Sequence, residues 1–343
     1  MKRLLIPLVL LSALLALGAG AWLASSTMPT STASPAQLTT LPPEPIADTG
    51  PYLAVADTSD FTPPIGRQSN PPPASAGERR LMTATSTDGL HFTPTGKILT
   101  DQGNVPDLIT EPDGTLRVYY IGQSIEAEKE ESTVMALSKD RGATWEFHTL
   151  VFNSFPQPRD PSDPDVVLLA DGSYRMYYTT SLSSTKRGIA YASSPDGITF
   201  TYQGESLEGA NNVIDSTTVL VNGVWHMLVL QEEVEGQLHA TSTDGKSFTL
   251  VDQTIVQIPA KTYILSNPLP GSDPLRIFGF SGPQKNIRTF TTTDMNTWTV
   301  GDVALEADAA TTLDTMYLQD LSVASLADGT YFMVYVAGLP IEE

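Results

Sequence analysis

The sequence predicts an all-β fold, a five-bladed β-propeller of four-stranded antiparallel blades. Three observations predict it. A short turn of the Ser-x-Asp-x-Gly kind, an Asp-box-like turn, returns five times, as "TSTDGLHF", "LSKDRGATW", "SSPDGITF", "TSTDGKSF" and "TTTDMNTW". Its aspartates are Asp88, Asp140, Asp196, Asp244 and Asp294, with gaps of 52, 56, 48 and 50 residues, a period that marks a repeat architecture. Between these turns lies a second repeated element, in which two apolar runs flank Asp-Gly or Asn-Gly, as in "VVLLADGSYRMYY". Such a pair reads as a hairpin, because a tight turn with positive φ favours Asn or Asp followed by Gly. Finally, the two ends of the pattern are complementary halves, and that closes the ring.

Taken in order, Met1-Lys2-Arg3 and the apolar run Leu4–Ala24 form an address rather than fold. Ala19-Gly20-Ala21 offers a cleavage site, while the run is also long enough to span a bilayer. A signal peptide or an N-terminal anchor over 1–24 both fit, and both place the body outside the cytoplasm, at the cell surface, in a periplasm or secreted. Residues 25–50 are rich in Ser, Thr and Pro without apolar period and read as a tether. The propeller is expected over 51–343. Residues 80–99 hold only the outer half of a blade, and the chain ends with only an inner half, up to Gly338. One blade shared between the two ends closes the ring and hides both sheet edges. The hairpins begin at Val105, Asp163, Val213, Ser266 and Leu318, so five blades follow. In the repeated turn the Ser and Asp side chains bond nearby backbone N–H groups and Gly supplies the unusual φ, with the trailing Trp or Phe packing between blades. Trp225 and Trp298 read as packing residues of the same kind.

The formal charge of -20 repels phosphate backbones and argues against nucleic acid as a partner. No cysteine is present, which excludes disulfides, thiolate nucleophiles and Cys-ligated zinc, and four histidines show no zinc-site spacing. No phosphate loop, dinucleotide fingerprint or nucleophile elbow occurs. A monomer is expected.

The chemistry is expected where the innermost strand of each blade begins, at one mouth of the axis. Those positions carry Asp107, Asp163 with Asp165, Asp215, Asn267 and Asp320. Aspartate has low strand propensity, and facing carboxylates cost energy unless protons, a cation or a polyhydroxylated ligand offsets them. The bland alternative is that these aspartates tie loops together through backbone N–H groups.

This arrangement resembles the five-bladed propellers of glycoside hydrolase families 43, 32 and 68, the arabinanase, xylosidase, invertase and levansucrase group, over about residues 80–338. The resemblance implies a hydrolase acting on furanosides or xylosides of polysaccharides, with carbohydrate as partner and no required cofactor. It implies Asp107 in "VPDLITEPDG" as general base and Asp163 in "SDPDVVLLADG" as the residue that tunes the acid. The acid is a glutamate in that family, whereas "NNVIDSTTVLVNG" carries Asp215 there, one methylene shorter. Glu232, with Glu233 beside it, is a distant substitute and joins Asp165, Asn267 and Asp320 as a substrate-binding candidate. Asp160, Asp163 and Asp165 offer carboxylates to Ca²⁺, although the loop lacks the Gly and closing Glu of an EF-hand. Two other readings stand beside the hydrolase. One is a non-catalytic propeller binding glycan, metal or protein through the same funnel. The other is a sialidase-like glycosidase, suggested by the repeated turn, which needs three convergent arginines; Arg117 and Arg175 read instead as packing or rim residues.

Overall fold

The computed structural model describes residues 51–65, 79–122, 132–156, 161–209, 211–231, 236–255, 263–281, 285–307 and 317–338. The leader, the tether, Asp160, Glu232 and Glu233 lie outside them. Among the described residues there is no helix, and all regular structure is strand. The first blade runs from the axis outward as β4 (Gly103–Thr110), β5 (Leu116–Gly122), β6 (Ser132–Ser138) and β7 (Thr144–Thr149). The second comprises β9 (Ser162–Leu168), β10 (Tyr174–Ser183), β11 (Lys186–Ser194) and β12 (Thr199–Leu207). The third comprises β13 (Val213–Val221), β14 (Val224–Gln231), β15 (Gln237–Ser242) and β16 (Thr249–Ile255). The fourth comprises β17 (Ile264–Leu269), β18 (Leu275–Ser281), β19 (Asn286–Thr292) and β20 (Thr299–Glu306).

The fifth blade is the shared one. C-terminal β21 (Leu318–Ser325) and β22 (Tyr331–Gly338) pair with N-terminal β2 (Arg79–Ser86) and β3 (Thr93–Thr100), with Arg79 opposite Gly338 and Ser86 opposite Tyr331. Two further strands extend the expected blades. β1 (Ala54–Val55) lies parallel to the outer edge of β7, and β8 (Val151–Asn153) lies parallel to β12. Residues 51–65 thereby form a strap over the joint between the fifth and first blades. Tyr52 bridges to Ile98 of β3, and Ser59 Oγ accepts the Phe147 N–H of β7 at 3.0 Å. The Pro64 carbonyl then accepts the Asp101 N–H at 2.8 Å, just past β3.

The hydrophobic cores lie between neighbouring blades, where the two faces of every sheet are both covered. Aromatic residues after the repeated turns enter them. Phe200 meets Tyr119 at 6.1 Å, Phe248 meets Tyr177 at 5.7 Å and Phe92 meets Phe278 at 5.8 Å, each pair crossing a blade boundary. Within each turn the hydroxyl of Ser86, Ser138, Ser194, Ser242 or Thr292 accepts backbone N–H groups, and the aspartate Oδ1 accepts others. The turns also plug into their neighbours. Arg175 Nη1 donates to the carbonyls of Asp244 and Gly245 at 3.1 and 2.7 Å, Arg117 Nη1 to Asp196 at 2.9 Å and Arg276 Nη1 to Gly89 at 3.3 Å. Gly197 is required here: a Cβ would lie 2.7 Å from Arg117 Nη1 and Tyr119 Oη of the adjacent blade.

The hairpin turns differ from expectation in one respect. Only Asn222-Gly223 has positive φ at both central residues. At Gly114, Gly172 and Gly329 the glycine alone is left-handed, and the loop is longer, closed by bonds such as Glu111 N–H to the Thr115 carbonyl at 2.8 Å. The preceding aspartate faces forward instead, with Asp113 Oδ1 accepting the Thr115 N–H at 2.9 Å.

Candidate active site

Each inner strand carries a β-bulge, and the bulge divides the predicted positions into two tiers. Pairing of β4 with β5 jumps from Asn104–Ile121 to Asp107–Tyr119, and that of β9 with β10 from Ser162–Thr179 to Asp165–Tyr177. The same break falls between Ile214 and Thr217, Leu265 and Asn267, and Gln319 and Leu321. The register makes Asp107, Asp165, Thr217, Asn267 and Ser322 equivalent below the bulge. Above it, two residues earlier in each strand, stand Asp163, Asp215 and Asp320, with Val105 in the first blade.

The lower tier is a girdle that links every blade to the next. Asp107 Oδ2 accepts the Val166 N–H of the second blade at 2.5 Å, and Asp165 Oδ2 accepts the Thr218 hydroxyl of the third at 2.6 Å. Thr217 Oγ1 donates to the Ser266 carbonyl of the fourth blade. Asn267 Oδ1 accepts the Val323 N–H at 2.9 Å and its Nδ2 donates to Ser322 Oγ at 3.0 Å. Ser322 Oγ accepts the Leu108 N–H at 2.8 Å and donates to Asp107 Oδ1 at 3.3 Å, which completes the circle. Burial pushes Asp107 up to about 6 despite these bonds. Burial, and then the nearby Asp107 charge, push Asp165 up to about 8. A cavity of about 390 Å³ follows the axis, lined by the girdle residues Asp107, Asp165, Thr217 and Asn267 together with apolar side chains such as Val167 and Val219.

The upper tier is the acidic mouth. Its carboxyls are half-buried and act on one another. Burial, then the charges of Asp163 and Asp320, raise Asp215 well above the ordinary carboxylate range, opposed by Arg187. Burial raises Asp163 too, opposed by a bond to Thr179 and by Arg187. Asp320 is pushed up to about 6 by burial, with Arg79 opposing, and Gln319 Nε2 donates to its Oδ2 at 3.0 Å. Thr179, on the second strand of the second blade, accepts the Asp215 N–H at 3.1 Å while its hydroxyl serves Asp163. Threonine is an ordinary strand residue, so nothing in the sequence marked it.

The structure thus brings Asp163, Asp215 and Asp320 together and sets Asp107, Asp165 and Asn267 one tier deeper. Distance from the turn glycine carried that distinction: Asp107 and Asp165 stand seven residues before Gly114 and Gly172, while Asp163 and Asp320 stand nine before Gly172 and Gly329. Among the described residues no group of three or more His, Asp or Glu side chains is arranged to hold a metal ion. Arg117, Arg175 and Arg276 are spent on turn carbonyls at the other end of the strands and do not converge on the mouth.

Comparisons with known proteins agree with this architecture. The family model for the glycosyl hydrolases family 32 N-terminal domain matches residues 68–256, more than half of the chain. No curated protein sequence matches. Among solved structures, a thermostable family-43 glycoside hydrolase superposes with a TM-score of 0.52 at 13% identity, covering 70% of this chain and 90% of that one. A glycosyl hydrolase from Bacteroides ovatus gives 0.50 at 15%, covering 68% and 83%. A glycoside hydrolase of the family-130 mannoside phosphorylases, which targets β-1,2 mannosidic linkages in Candida mannan, gives 0.50 at 13%, covering 69% and 86%. At these identities the likeness is one of fold. With the family model spanning three of its blades, the chain belongs to the glycosyl hydrolases family 32 N-terminal domain family.

Proposed function

We propose that this chain is an exported glycoside hydrolase that cleaves furanosides or xylosides of polysaccharides at the acidic mouth. The observation that carries the reading is the convergence of Asp163, Asp215 and Asp320 from three blades, half-buried, with the charges of Asp163 and Asp320 both felt at Asp215. Hydrolysis of a glycoside needs a carboxylic acid that holds its proton near neutral pH and a second carboxylate that does not. Asp215 is the acid. Burial and two like-charged neighbours keep it protonated, ready to give its proton to the glycosidic oxygen as the bond breaks. Asp163, the nearer neighbour along the ring, tunes it: its charge raises the proton affinity of Asp215, and both groups lean on Thr179. The aspartate in place of a glutamate requires the scissile oxygen to sit about 1 Å closer to the third blade. Asp107, the base implied by resemblance, belongs to the girdle, with Oδ2 already bound to Val166.

The test is hydrolysis of aryl arabinofuranosides, xylosides and fructofuranosides by the full-length chain, with Asp215→Asn alongside. Turnover is expected on at least one class. The substitution should lower kcat about 10²- to 10⁴-fold for poor leaving groups and far less for a dinitrophenyl leaving group, which needs no proton. Folded protein that turns over none of these substrates would leave a funnel that binds glycan without cleaving it.

A further inference from the structure

Asp163 and Asp215 are two like acids in one setting. They occupy the bulges of neighbouring inner strands at φ 54° and 52°, burial raises both, and Arg187 opposes both. The charge of Asp320 acts on Asp215, and that of Asp163 acts on Asp320. An acid and the neighbour that tunes it must nevertheless differ in protonation. Neither burial nor Arg187 distinguishes them, so a further group has to.

The second strands supply it. On the mouth side of each bulge, the residue paired with the inner strand is Ile121, Thr179, Leu230, Gly279 or Val336 in blades one to five. Only the second blade has a hydroxyl there, and Thr179 is buried. It stands at the joint between the two blades that carry Asp163 and Asp215. The bulge takes Asp215 out of its ladder, since β13 pairs with β14 at Ile214–Leu230 and resumes at Thr217–Leu228. The Asp215 N–H goes instead to Thr179 Oγ1, at 3.1 Å. A backbone N–H can only donate, so the direction of that bond is fixed and the hydroxyl proton is left for Asp163.

A donated hydrogen bond favours the ionised form of a carboxyl, and an ionised neighbour favours the protonated form of the next. Resting on the hydrolase reading above, we propose that Thr179 is the positioning residue that sorts this pair: its one hydroxyl anchors the backbone of Asp215 and holds Asp163 as an acceptor, so that the proton resides on Asp215. Without the hydroxyl the two acids would compete for that proton, and the fraction of molecules with a loaded acid would fall.

The experiment follows both carboxyls one at a time, by the ¹³Cγ resonances of aspartate in the full-length chain, assigned through their absence from Asp163→Asn and Asp215→Asn. In Thr179→Val the midpoint of Asp163 should rise by about one pH unit, and Asp215 should lose part of its protonated fraction. Thr179→Ser, which keeps the hydroxyl, should titrate as wild type. Thr179→Ala, which cannot crowd the joint, carries the same expectation as Thr179→Val. On an aryl glycoside that is turned over, Thr179→Val should lower kcat about 10-fold for a poor leaving group and hardly at all for dinitrophenol, which needs no proton. An unmoved Asp163 midpoint, a serine variant that titrates like the valine one, or equal losses on both leaving groups would overturn the assignment while the hydrolase reading stood. Wild-type protein inactive on every glycoside would sink that reading, and the titrations would still decide whether Thr179 sorts the pair.

Discussion

A single residue, Val105, records how this mouth departs from five-fold regularity. Val105 stands at φ 45°, in the left-handed region that a β-branched residue rarely adopts, and that strain, of the order of 1–3 kcal/mol, is held in place by the blade around it. Val105→Asn places at that φ a residue that tolerates it, so the urea midpoint should rise by an amount equal to about 1 kcal/mol. A lower midpoint would show that the packing of Val105 above the axial cavity outweighs its backbone strain. The mouth carboxylates carry a prediction of their own. Asp215 must be protonated to act as the acid, so kcat/KM should fall on the alkaline side as Asp215 loses its proton. A flat profile between pH 4 and 8 would contradict the assignment.

At the scale of elements, the girdle keys each blade to the next near the axis, and at three joints an arginine on a blade's second strand (Arg117, Arg175 or Arg276) also reaches the repeated turn of the next blade. Arg175 is buried, donates to two turn carbonyls of the third blade and lies 5.6 Å above the Trp225 ring. Arg175→Ala should cost about 2–3 kcal/mol, read in urea unfolding, because it leaves the Asp244 carbonyl without the guanidinium and the Gly245 carbonyl with Tyr177 Oη alone of these two donors. A loss under 0.5 kcal/mol would mean that water replaces the guanidinium. This level of organisation was the most legible in the sequence, since turn chemistry and apolar alternation are local signals. The hairpins, the repeated turns and the shared blade all followed from them. β1 and β8 were not legible, because strands of two or three residues have no period. The division into tiers was written only in the spacing to the turn glycine: a bulge adds a residue to a strand without changing its composition, so Asp163 and Asp165 looked like one site although one faces the mouth and the other binds Thr218.

For the whole molecule, the buried acids set how stability responds to pH. Asp165, Asp107 and Asp320 have folded-state pKa values raised to about 8, 6 and 6, and Asp163 and Asp215 are raised as well. The folded protein therefore binds more protons than the unfolded chain across this range, and stability grows as pH falls from about 8 toward 5. His226 and His239 pull the other way. They are stacked at 5.1 Å between the third and fourth blades, and burial lowers both, His226 to about 4. Below pH 6.5 the unfolded chain takes up protons that these histidines do not, and stability is lost. Calorimetry should show a maximum on the acidic side of neutrality, with Asp165→Asn flattening the slope between pH 8 and 6. A thermal midpoint that rises steadily toward pH 8 would count against this account.

The strap of residues 51–65 gives the ring a mechanical property. The ring's closing joint is a zipper between β2 and β22, whose bonds would open one at a time if the chain were pulled from Arg79. A pull applied at Pro51 meets the strap first, where Leu53, Ala56 and Asp60 donate to carbonyls on β3 and β7 in two different blades. Those bonds are loaded together, and the load is split across the joint rather than concentrated on one pair. The segment acts as a strain relief, so a force arriving through the N-terminus can be borne without prying open the blade that holds Asp320.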